Sequence, residues 1–180
     1  AASLATRFAA LRDLGMANDD VAGLTLDEIM ATPETPYDWI IPNLLERSDR
    51  LVLTGEEGLG KSHLLRQIAV FTAAGLHPFR HERIEPVKTT IIDCENTLRQ
   101  VKRSVGPVLR AAERVGDKPG SRVVVECIGR LDLTADKELA KIHHLLDATM
   151  PDVVVIGPLY RLIPRAITND DDAAPLLAAL

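Results

Sequence analysis

The sequence predicts an α/β fold with a mainly parallel β-sheet. Apolar segments of strand length alternate with longer segments whose apolar residues recur at helical spacing, as in strands joined by crossover helices. The segment 152–156 (DVVVI) is short and apolar after its first residue, which is typical of a central parallel strand. A glycine-rich turn between an apolar segment and a helix-like segment is a further α/β signature.

The first 36 residues are expected to form an N-terminal helical segment and a linker, and residues 37–180 the main domain. Apolar residues at helical spacing predict an amphipathic helix over residues 3–17. A capping-box pattern predicts a short helix over residues 25–31. Residues 32–36 (TPETP) contain two prolines, which interrupt the helix and indicate a linker.

Strands and helices alternate along the rest of the chain. Residues 77–87 (HPFRHERIEPV) form a polar excursion, in which His77 and His81 are expected at the surface. Trp39 is expected in the core, because large aromatic side chains are more often buried than free to stack on a base. The predicted strands are 51–54, 89–93, 121–128 and 152–156, and the predicted helices are 61–74, 97–115 and 135–150.

The turn after residues 51–54 reads GEEGLGKS and matches the phosphate-loop pattern G-x-x-x-x-G-K-[ST]. Its glycines allow consecutive backbone N–H groups to point at a phosphate chain, and the helix that follows adds its positive dipole end. Lys61 is expected to reach the β and γ phosphates, and the Ser62 hydroxyl to hold Mg²⁺. The predicted phosphate-binding residues are Gly55, Glu56, Glu57, Gly58, Leu59, Gly60, Lys61, Ser62 and His63. The motif therefore predicts binding of a nucleoside triphosphate rather than a glycine turn that binds nothing.

Composition sets few further limits. The 180 residues are 46% apolar and 26% charged, as in soluble globular proteins, and the 3% of aromatic residues predicts an aliphatic core. A net charge of -5 gives no global attraction to nucleic acid. Cys94 and Cys127 are far apart, so reduced thiols of a cytoplasmic protein are expected rather than a metal site. No apolar run approaches membrane-spanning length, so no membrane partner is expected.

Acidic residues follow the predicted strand 89–93, at the edge of the sheet where α/β proteins bind ligands. Glu95 lies two residues beyond the strand-final Asp93, in a position suited to orient water at a γ phosphate. The alternative role for Glu95 is that of a helix-capping acid. The nearby phosphate loop favours catalysis by Glu95.

Several segments together resemble the RecA-like ATPase core, and in particular the RepA-type hexameric replicative helicases of plasmids and phages. The resemblance rests on residues 39–42 (WIIP), the GEEGLGKS loop, residues 92–96 (IDCEN) and residues 153–162 (VVVIGPLYRL). It covers about residues 37–170. It implies a three-layer RecA-like P-loop NTPase fold that uses ATP and Mg²⁺ in replication or recombination. It also implies a homo-oligomeric ring that acts on single-stranded DNA, with the water-activating role of the family's glutamate carried over onto Glu95.

The fourth predicted strand departs from that family. There it ends in an Asp that helps to hold the metal, the Walker B acid, whereas here Gly157 follows the strand. Asp152 lies at the opposite end, about 13 Å away at ~3.3 Å per residue. Asp93 is at the correct edge and is the predicted replacement, acting on the metal through water. Firm nucleotide binding with weak, magnesium-dependent ATPase activity is therefore expected.

Residues 160–172 correspond to the region where RecA-like rings present a DNA-contacting loop. Arg161 and Arg165 are the predicted phosphate contacts there, although the acidic run 170–172 weakens that prediction. A solvated loop, or arginines that face a neighbour's nucleotide, are the alternatives. RecA-like cores continue with strands that carry a γ-phosphate sensor and an arginine finger, so the C-terminal part of the fold is expected to be incomplete in this chain.

Two functions remain open at this point. The first is an ATPase motor that acts on DNA. The second is a nucleotide-dependent regulatory or loader module that uses ATP to order its loops, with little hydrolysis. A small-molecule kinase is less favoured, because no lid-like arginine cluster is evident.

Overall fold

The computed structural model describes residues 23–33, 36–80 and 82–162. The chain divides after Tyr37 into two compact units, and each is described by itself. In the first unit, helix α1 (Leu26–Ala31) has the predicted capping box: the Thr25 hydroxyl accepts from the Glu28 N–H, and the Glu28 carboxylate accepts from the Thr25 N–H. The predicted helix over residues 3–17 lies outside the described residues.

The second unit opens with a short antiparallel hairpin of β1 (Trp39–Ile41) and β2 (Leu45–Glu46). Strands of three and two residues carry too little periodicity to be predicted from the sequence. Ile40 and Ile41 are buried in a cluster with Ile68, whereas Trp39 is 38% exposed. The predicted core position of Trp39 is therefore wrong: the ladder register shifts between Trp39 and Ile41, and the strand buries two consecutive isoleucines while Trp39 at its start stays partly exposed.

Three longer helices accompany a parallel sheet. They are α2 (Lys61–Ala73), α3 (Leu98–Glu113) and α4 (Asp136–Thr149), and each agrees with its predicted range to within two residues at either end. The helices α2 and α3 share one apolar cluster, in which Val70 and Phe71 lie with Val108 and Ala112. A second cluster joins Ile142 of α4 to the sheet. None of the described helices is both long and apolar enough to span a bilayer.

The sheet has three parallel strands, β3 (Thr89–Asp93), β4 (Val123–Cys127) and β5 (Val153–Gly157), in the order β4-β3-β5. All five residues of the central strand β3 are buried, so both faces of the sheet are covered. The register pairs Asp93 with Cys127 on one side and with Gly157 on the other. The α/β class and the parallel sheet predicted from the sequence are confirmed, and the ends of these strands form one edge.

Residues 51–54, predicted to be a strand, form no β-ladder. Leu51 and Val52 are 49% and 55% exposed. Apolar composition favours a strand, but a strand also needs a neighbour for its backbone hydrogen bonds, and β5 pairs only with β3 among the described residues. The strand prediction at this position is wrong because pairing is decided by the tertiary structure.

His77 is buried, with 3% of its surface exposed, so its predicted surface position is also wrong. Its Nδ1 accepts from the backbone N–H groups of Phe79 and Arg80, both at 3.2 Å. That assignment leaves the proton on Nε2, which donates to the Pro42 carbonyl at 3.1 Å. The imidazole therefore joins the turn after α2 to the hairpin, while His81 lies outside the described residues.

Gly116 marks a close backbone approach beyond α3, and this generates a stability prediction. A Cβ at this position would lie 2.6 Å from the Ala74 carbonyl oxygen and 2.7 Å from the Leu76 Cδ1. We expect Gly116→Ala to lower the free energy of unfolding by about 1–3 kcal/mol through overpacking. Gly120→Ala is the matched control, because no atom lies within 4 Å of its added Cβ. Urea denaturation of both variants tests this, and equal midpoints would contradict it.

Candidate nucleotide-binding site

The phosphate loop is an open turn whose conformation depends on three glycines. Gly55, Gly58 and Gly60 have φ angles of 150°, 82° and 83°, which side chains other than glycine rarely adopt. A Cβ placed on Gly58 or Gly60 would find no atom within 4 Å, so crowding is not what requires glycine there. The loop residues between the glycines, Glu56, Glu57 and Leu59, are all exposed. The loop therefore presents its backbone to solvent.

Helix α2 begins directly after Gly60 without a side-chain cap. The N–H groups of Lys61, Ser62 and His63 lie in its first turn, where an α-helix offers them no acceptor of its own. Ser62 and His63 are exposed, so these donors are open to a ligand. Orphan N–H groups at the positive end of a helix dipole form a binding site for an anion such as a phosphate.

The Lys61 ammonium forms hydrogen bonds with the backbone of the phosphate loop that precedes it. Its Nζ donates to the Gly55 carbonyl at 2.7 Å and to the Glu56 carbonyl at 2.6 Å. An ammonium has three N–H donors, so one remains for a phosphate oxygen. The positive charge is thereby held over the glycine turn, beside the first-turn N–H groups of α2. The Lys61 side chain therefore joins the start of α2 to the first two residues of the loop, and the role of the loop residues toward phosphate stays a prediction.

Asp93, at the carboxyl end of β3, organises the adjacent edge of the sheet. Its Oδ2 accepts from the Arg66 guanidinium at 2.8 Å, an ion pair with both side chains about 10% exposed or less. Its Oδ1 accepts from the backbone N–H groups of Glu95 and Asn96, and both oxygens accept from the Asn96 amide. Arg66 belongs to α2, so one carboxylate joins the phosphate-loop helix to the segment that carries Glu95.

These contacts determine the pKa of Asp93. Burial alone would raise the pKa of this carboxyl, but hydrogen bonds from the Asn96 N–H, the Arg66 guanidinium and the Glu95 N–H outweigh it and hold the pKa below its ordinary value of 3.8. The carboxylate is therefore charged at neutral pH, with its lone pairs already engaged. In this arrangement Asp93 fixes the segment after β3 that carries Glu95 and Asn96. Its predicted role toward a metal-bound water stays a prediction, and that role requires these hydrogen bonds to rearrange.

Burial also raises the pKa of the neighbouring Cys94 thiol to about 11, with a further contribution from the Asp93 carboxylate. The pKa of the Cys127 thiol is raised as well, again chiefly by burial. Both cysteines are free thiols. They are protonated at neutral pH, so neither is suited to act as a nucleophile or to bind a metal as thiolate.

Glu95 is exposed at the same edge. Its Oε1 accepts a hydrogen bond of 2.8 Å from the Tyr160 hydroxyl, which comes from the 3₁₀ turn Leu159–Arg161 after β5. A cavity of about 370 Å³ opens beside the Glu95 carboxylate. It is lined by Glu95, Asn96, Thr97 and Leu98 and by Val125, Glu126, Cys127 and Gly129. The carboxylate thus lies at an open face with one side-chain partner to orient it.

Gly157 is the last residue of β5 and supplies no carboxylate at this edge of the sheet. It pairs with Asp93 in the sheet, and its carbonyl accepts from the Cys94 N–H at 2.9 Å. Asp152 is at the opposite end of β5, where it accepts from the Lys88 N–H and pairs with Arg47. Asp152 therefore lies at the far end of β5 from the edge that carries Asp93 and Glu95.

Mg²⁺ ligation by protein groups is correspondingly sparse. In the part of the chain that the structure describes, no three His, Cys, Asp or Glu side chains cluster in a way that could hold a metal ion. The Ser62 hydroxyl is exposed at the start of α2, beside the phosphate cradle. That arrangement fits a Mg²⁺ ion held by one hydroxyl, phosphate oxygens and water, which is how Mg²⁺ commonly binds in nucleotide sites.

Of the two arginines predicted to contact DNA, only Arg161 is described. Its guanidinium carbon lies 5.4 Å from the centroid of the Tyr160 ring, and its Nε is buried without a hydrogen-bond partner in the described structure. Arg161 is half-buried, which restricts its reach to a phosphate backbone. Arg165 lies outside the described residues.

The structure adds three residues that sequence reasoning missed. Arg66 and Asn96 fix Asp93, and Tyr160 contacts Glu95. Arg66 gave a usable signal, since a charged residue on the inner face of a helix requires a buried partner. Tyr160 lay within a segment used for the resemblance, but its contact with Glu95 spans 65 positions in sequence and could not be read from spacing.

The parallel sheet, the glycine loop and the adjacent lysine define a P-loop ATPase domain. Comparison with protein families agrees: the family model described as an AAA domain matches residues 18–180. The chain therefore belongs to the AAA domain family and is a nucleotide-binding ATPase domain, in a family that typically uses ATP with Mg²⁺. Among curated proteins, none matches this chain.

The buried Arg66–Asp93 pair yields a prediction about stability. Asp93→Asn leaves the Arg66 charge buried without its counterion, so we expect a loss of about 3–5 kcal/mol in the free energy of unfolding. Asp38→Asn is the matched control, because Asp38 forms an exposed pair with Arg47 and its loss should change little. Urea denaturation at neutral pH measures both, and equal losses would contradict a special role for the buried pair.

The same pair has a defined pH dependence. Because folding lowers the pKa of Asp93, its stabilising contribution is present above the ordinary pKa of 3.8 and is lost as the pH falls through the lower folded value. The difference in stability between the wild type and Asp93→Asn should therefore be constant near neutrality and shrink below about pH 4.

Proposed function

We propose that this chain is the ATP-binding core of a RecA-like motor that couples magnesium-dependent ATP hydrolysis to action on single-stranded DNA. The activity would be that of a helicase or translocase in replication or recombination. One observation carries the nucleotide part: the glycine loop, the uncapped start of α2 and the Lys61 ammonium converge on one open cradle. The resemblance to RepA-type hexameric helicases supports the DNA part and assembly of a longer chain into a ring.

In this proposal, the loop and first-turn N–H groups bind the phosphate chain and Lys61 neutralises it. The Ser62 hydroxyl contributes to Mg²⁺ binding, and the ion when bound offsets charge on the transferred phosphoryl group. Glu95 orients an attacking water and accepts its proton. The Tyr160 hydroxyl orients that carboxylate, and the bond from the Glu95 N–H to Asp93 fixes the backbone that carries it.

A nucleotide-dependent regulatory or loader module with little hydrolysis is the second candidate. Two observations favour it: Gly157 supplies no carboxylate at the Walker B position, and Asp93 is already bonded to Arg66 and Asn96. ATPase turnover with and without single-stranded DNA, together with the mass in solution, separates the candidates. Stimulation by DNA selects the motor, whereas nucleotide-dependent assembly without stimulation selects the module.

Lys61→Ala tests the nucleotide site. The substitution removes the ammonium that lies over the loop and its two bonds to the loop carbonyls, so we expect at least a roughly 100-fold loss of ATP affinity. Isothermal titration calorimetry with ATP and Mg²⁺ measures the change. Lys137→Ala, an exposed lysine of α4, is the control and should bind as the wild type does. Retained affinity in Lys61→Ala would contradict the phosphate-loop assignment.

Glu95→Gln tests the catalytic assignment. Removing the base while keeping its shape should lower turnover roughly 100-fold and leave ATP affinity unchanged. Tyr160→Phe removes only the hydrogen bond that orients Glu95, so a smaller loss in kcat with an unchanged KM is expected. Glu85→Gln, at an exposed position, is the control.

Equal turnover in the wild type and Glu95→Gln would remove Glu95 from the mechanism. Absence of turnover in both, with binding retained, would favour the regulatory module. A steady-state phosphate-release assay distinguishes these outcomes.

A further inference from the structure

Helix α3 carries a stripe of basic side chains on its exposed face. The helix and its C-cap, residues 98–114, contain five basic residues and one carboxylate, Glu113, in a chain whose net charge is -5. The five are Arg99, Lys102, Arg103, Arg110 and Arg114, and all are exposed. We refer to Arg99, Arg103, Arg110 and Arg114, with Lys102 at their side, as the α3 stripe.

The stripe follows from helical geometry. At about 100° per residue, its four arginines fall within an arc of about 60°, with Lys102 at one flank. The buried residues Val101, Val108 and Ala112 occupy the opposite side of the helix. Over 15 residues at ~1.5 Å each, the stripe extends about 22 Å along the surface. The positive charge therefore forms two groups, Arg99 to Arg103 and Arg110 to Arg114, along the face of the helix that points away from the core.

The single carboxylate of this segment, Glu113, lies at the flank of the stripe between Lys102 and the arginines, so this face keeps a net positive charge. In the described structure, none of the five side chains forms an ion pair with a carboxylate, although carboxylates elsewhere pair with Arg47, Arg66 and Arg83. Gly106 lies under the stripe, and the space where its Cβ would stand is 3.4 Å from the Arg110 guanidinium. The Arg110 guanidinium therefore lies along the helix surface beside Gly106 rather than extending away from it.

The composition of the stripe indicates the class of partner. Protein interfaces generally have a central region with few charges and several aromatic or apolar side chains. The arc of the stripe holds arginines without any apolar side chain between them. Guanidinium groups bind phosphate oxygens in a bidentate manner, and a line of such groups matches a phosphate backbone. Because no aromatic side chain interrupts the arc, base stacking is not available, and recognition would be independent of sequence.

We propose that the α3 stripe binds the phosphate backbone of DNA, at a surface separate from the phosphate loop. The inference rests on the proposed action on DNA for the identity of the polyanion and on the charge geometry for the location. The stripe begins four residues after Glu95, since α3 starts at the N-cap Thr97. DNA bound along α3 would therefore contact a helix that begins three residues after Glu95, the candidate catalytic residue.

The test measures binding of the 180-residue chain to fluorescent single-stranded and duplex DNA, without nucleotide, by anisotropy between about 50 and 200 mM salt. The stripe variant combines Arg99→Gln, Arg103→Gln, Arg110→Gln and Arg114→Gln. Glutamine has a helix propensity close to that of arginine, so α3 should persist, and circular dichroism checks this. The matched control combines Arg80→Gln, Lys88→Gln, Lys137→Gln and Lys141→Gln, which removes the same charge from exposed positions elsewhere.

We expect the stripe variant to bind DNA at least roughly tenfold more weakly at low salt, and the control variant to stay within about twofold of the wild type. The slope of log affinity against log salt for single strands should fall by about 3, since each lost phosphate contact contributes ~0.7. Equal losses in both variants, or no loss in the stripe variant, would overturn the proposal. Poly-glutamate, measured in the same assay, serves as a probe for an acidic protein partner. If the stripe variant loses binding to poly-glutamate but keeps binding to DNA, the proposal is overturned in favour of such a partner.

Lys61→Ala separates this inference from the proposed nucleotide site. We expect it to lose ATP binding and to keep stripe-dependent DNA binding. If DNA binding depends on the stripe while ATP binding survives Lys61→Ala, the nucleotide assignment fails and the inference about α3 stands. If Lys61→Ala loses ATP binding while DNA binding does not depend on the stripe, the inference about α3 fails and the nucleotide site stands.

Discussion

The buried ion pair between Arg66 and Asp93 is the constraint on which the candidate site depends. It joins α2, which directly follows the glycine loop, to the end of β3, beyond which the next segment carries Glu95. A charge on either side alone would be costly to bury, so the two elements are stabilised only together. The same Asp93 carboxylate accepts from the Glu95 and Asn96 N–H groups, which transmits the position of α2 to the candidate catalytic carboxylate.

This use of Asp93 bears on the chemistry that the site performs. A carboxylate at the edge of the sheet can bind a metal-bound water or fix a neighbouring helix. The Asp93 oxygens fix α2 through Arg66 and also accept from Asn96. Gly157 leaves the other strand end without a side chain. In the part of the chain that the structure describes, this edge of the sheet therefore offers no cluster of side chains that could hold a metal ion.

Charge is distributed over two separate surfaces. The phosphate loop offers backbone N–H groups and one lysine within a short distance, an arrangement that suits a compact polyphosphate. The α3 stripe presents arginines over a longer distance and suits an extended polyanion. An overall charge of -5 conceals this arrangement, because acidic residues elsewhere outnumber the basic ones. Local geometry, rather than net charge, thus decides which anions this domain binds.

The sequence by itself determined the α/β class, the three longer helices and the phosphate loop, because helical periodicity and a glycine motif are local properties. It also placed Asp93 at the end of one strand, Glu95 two residues beyond it, and Gly157 just after another strand. The tertiary structure alone decided that residues 51–54 have no strand partner, that His77 is buried and Trp39 partly exposed, and that Asp93 is paired with Arg66. It also brought Tyr160 to Glu95, across 65 positions. Strand pairing, burial and ion pairing join residues distant in sequence, so their outcome depends on how the elements pack and not on the residues of any one segment.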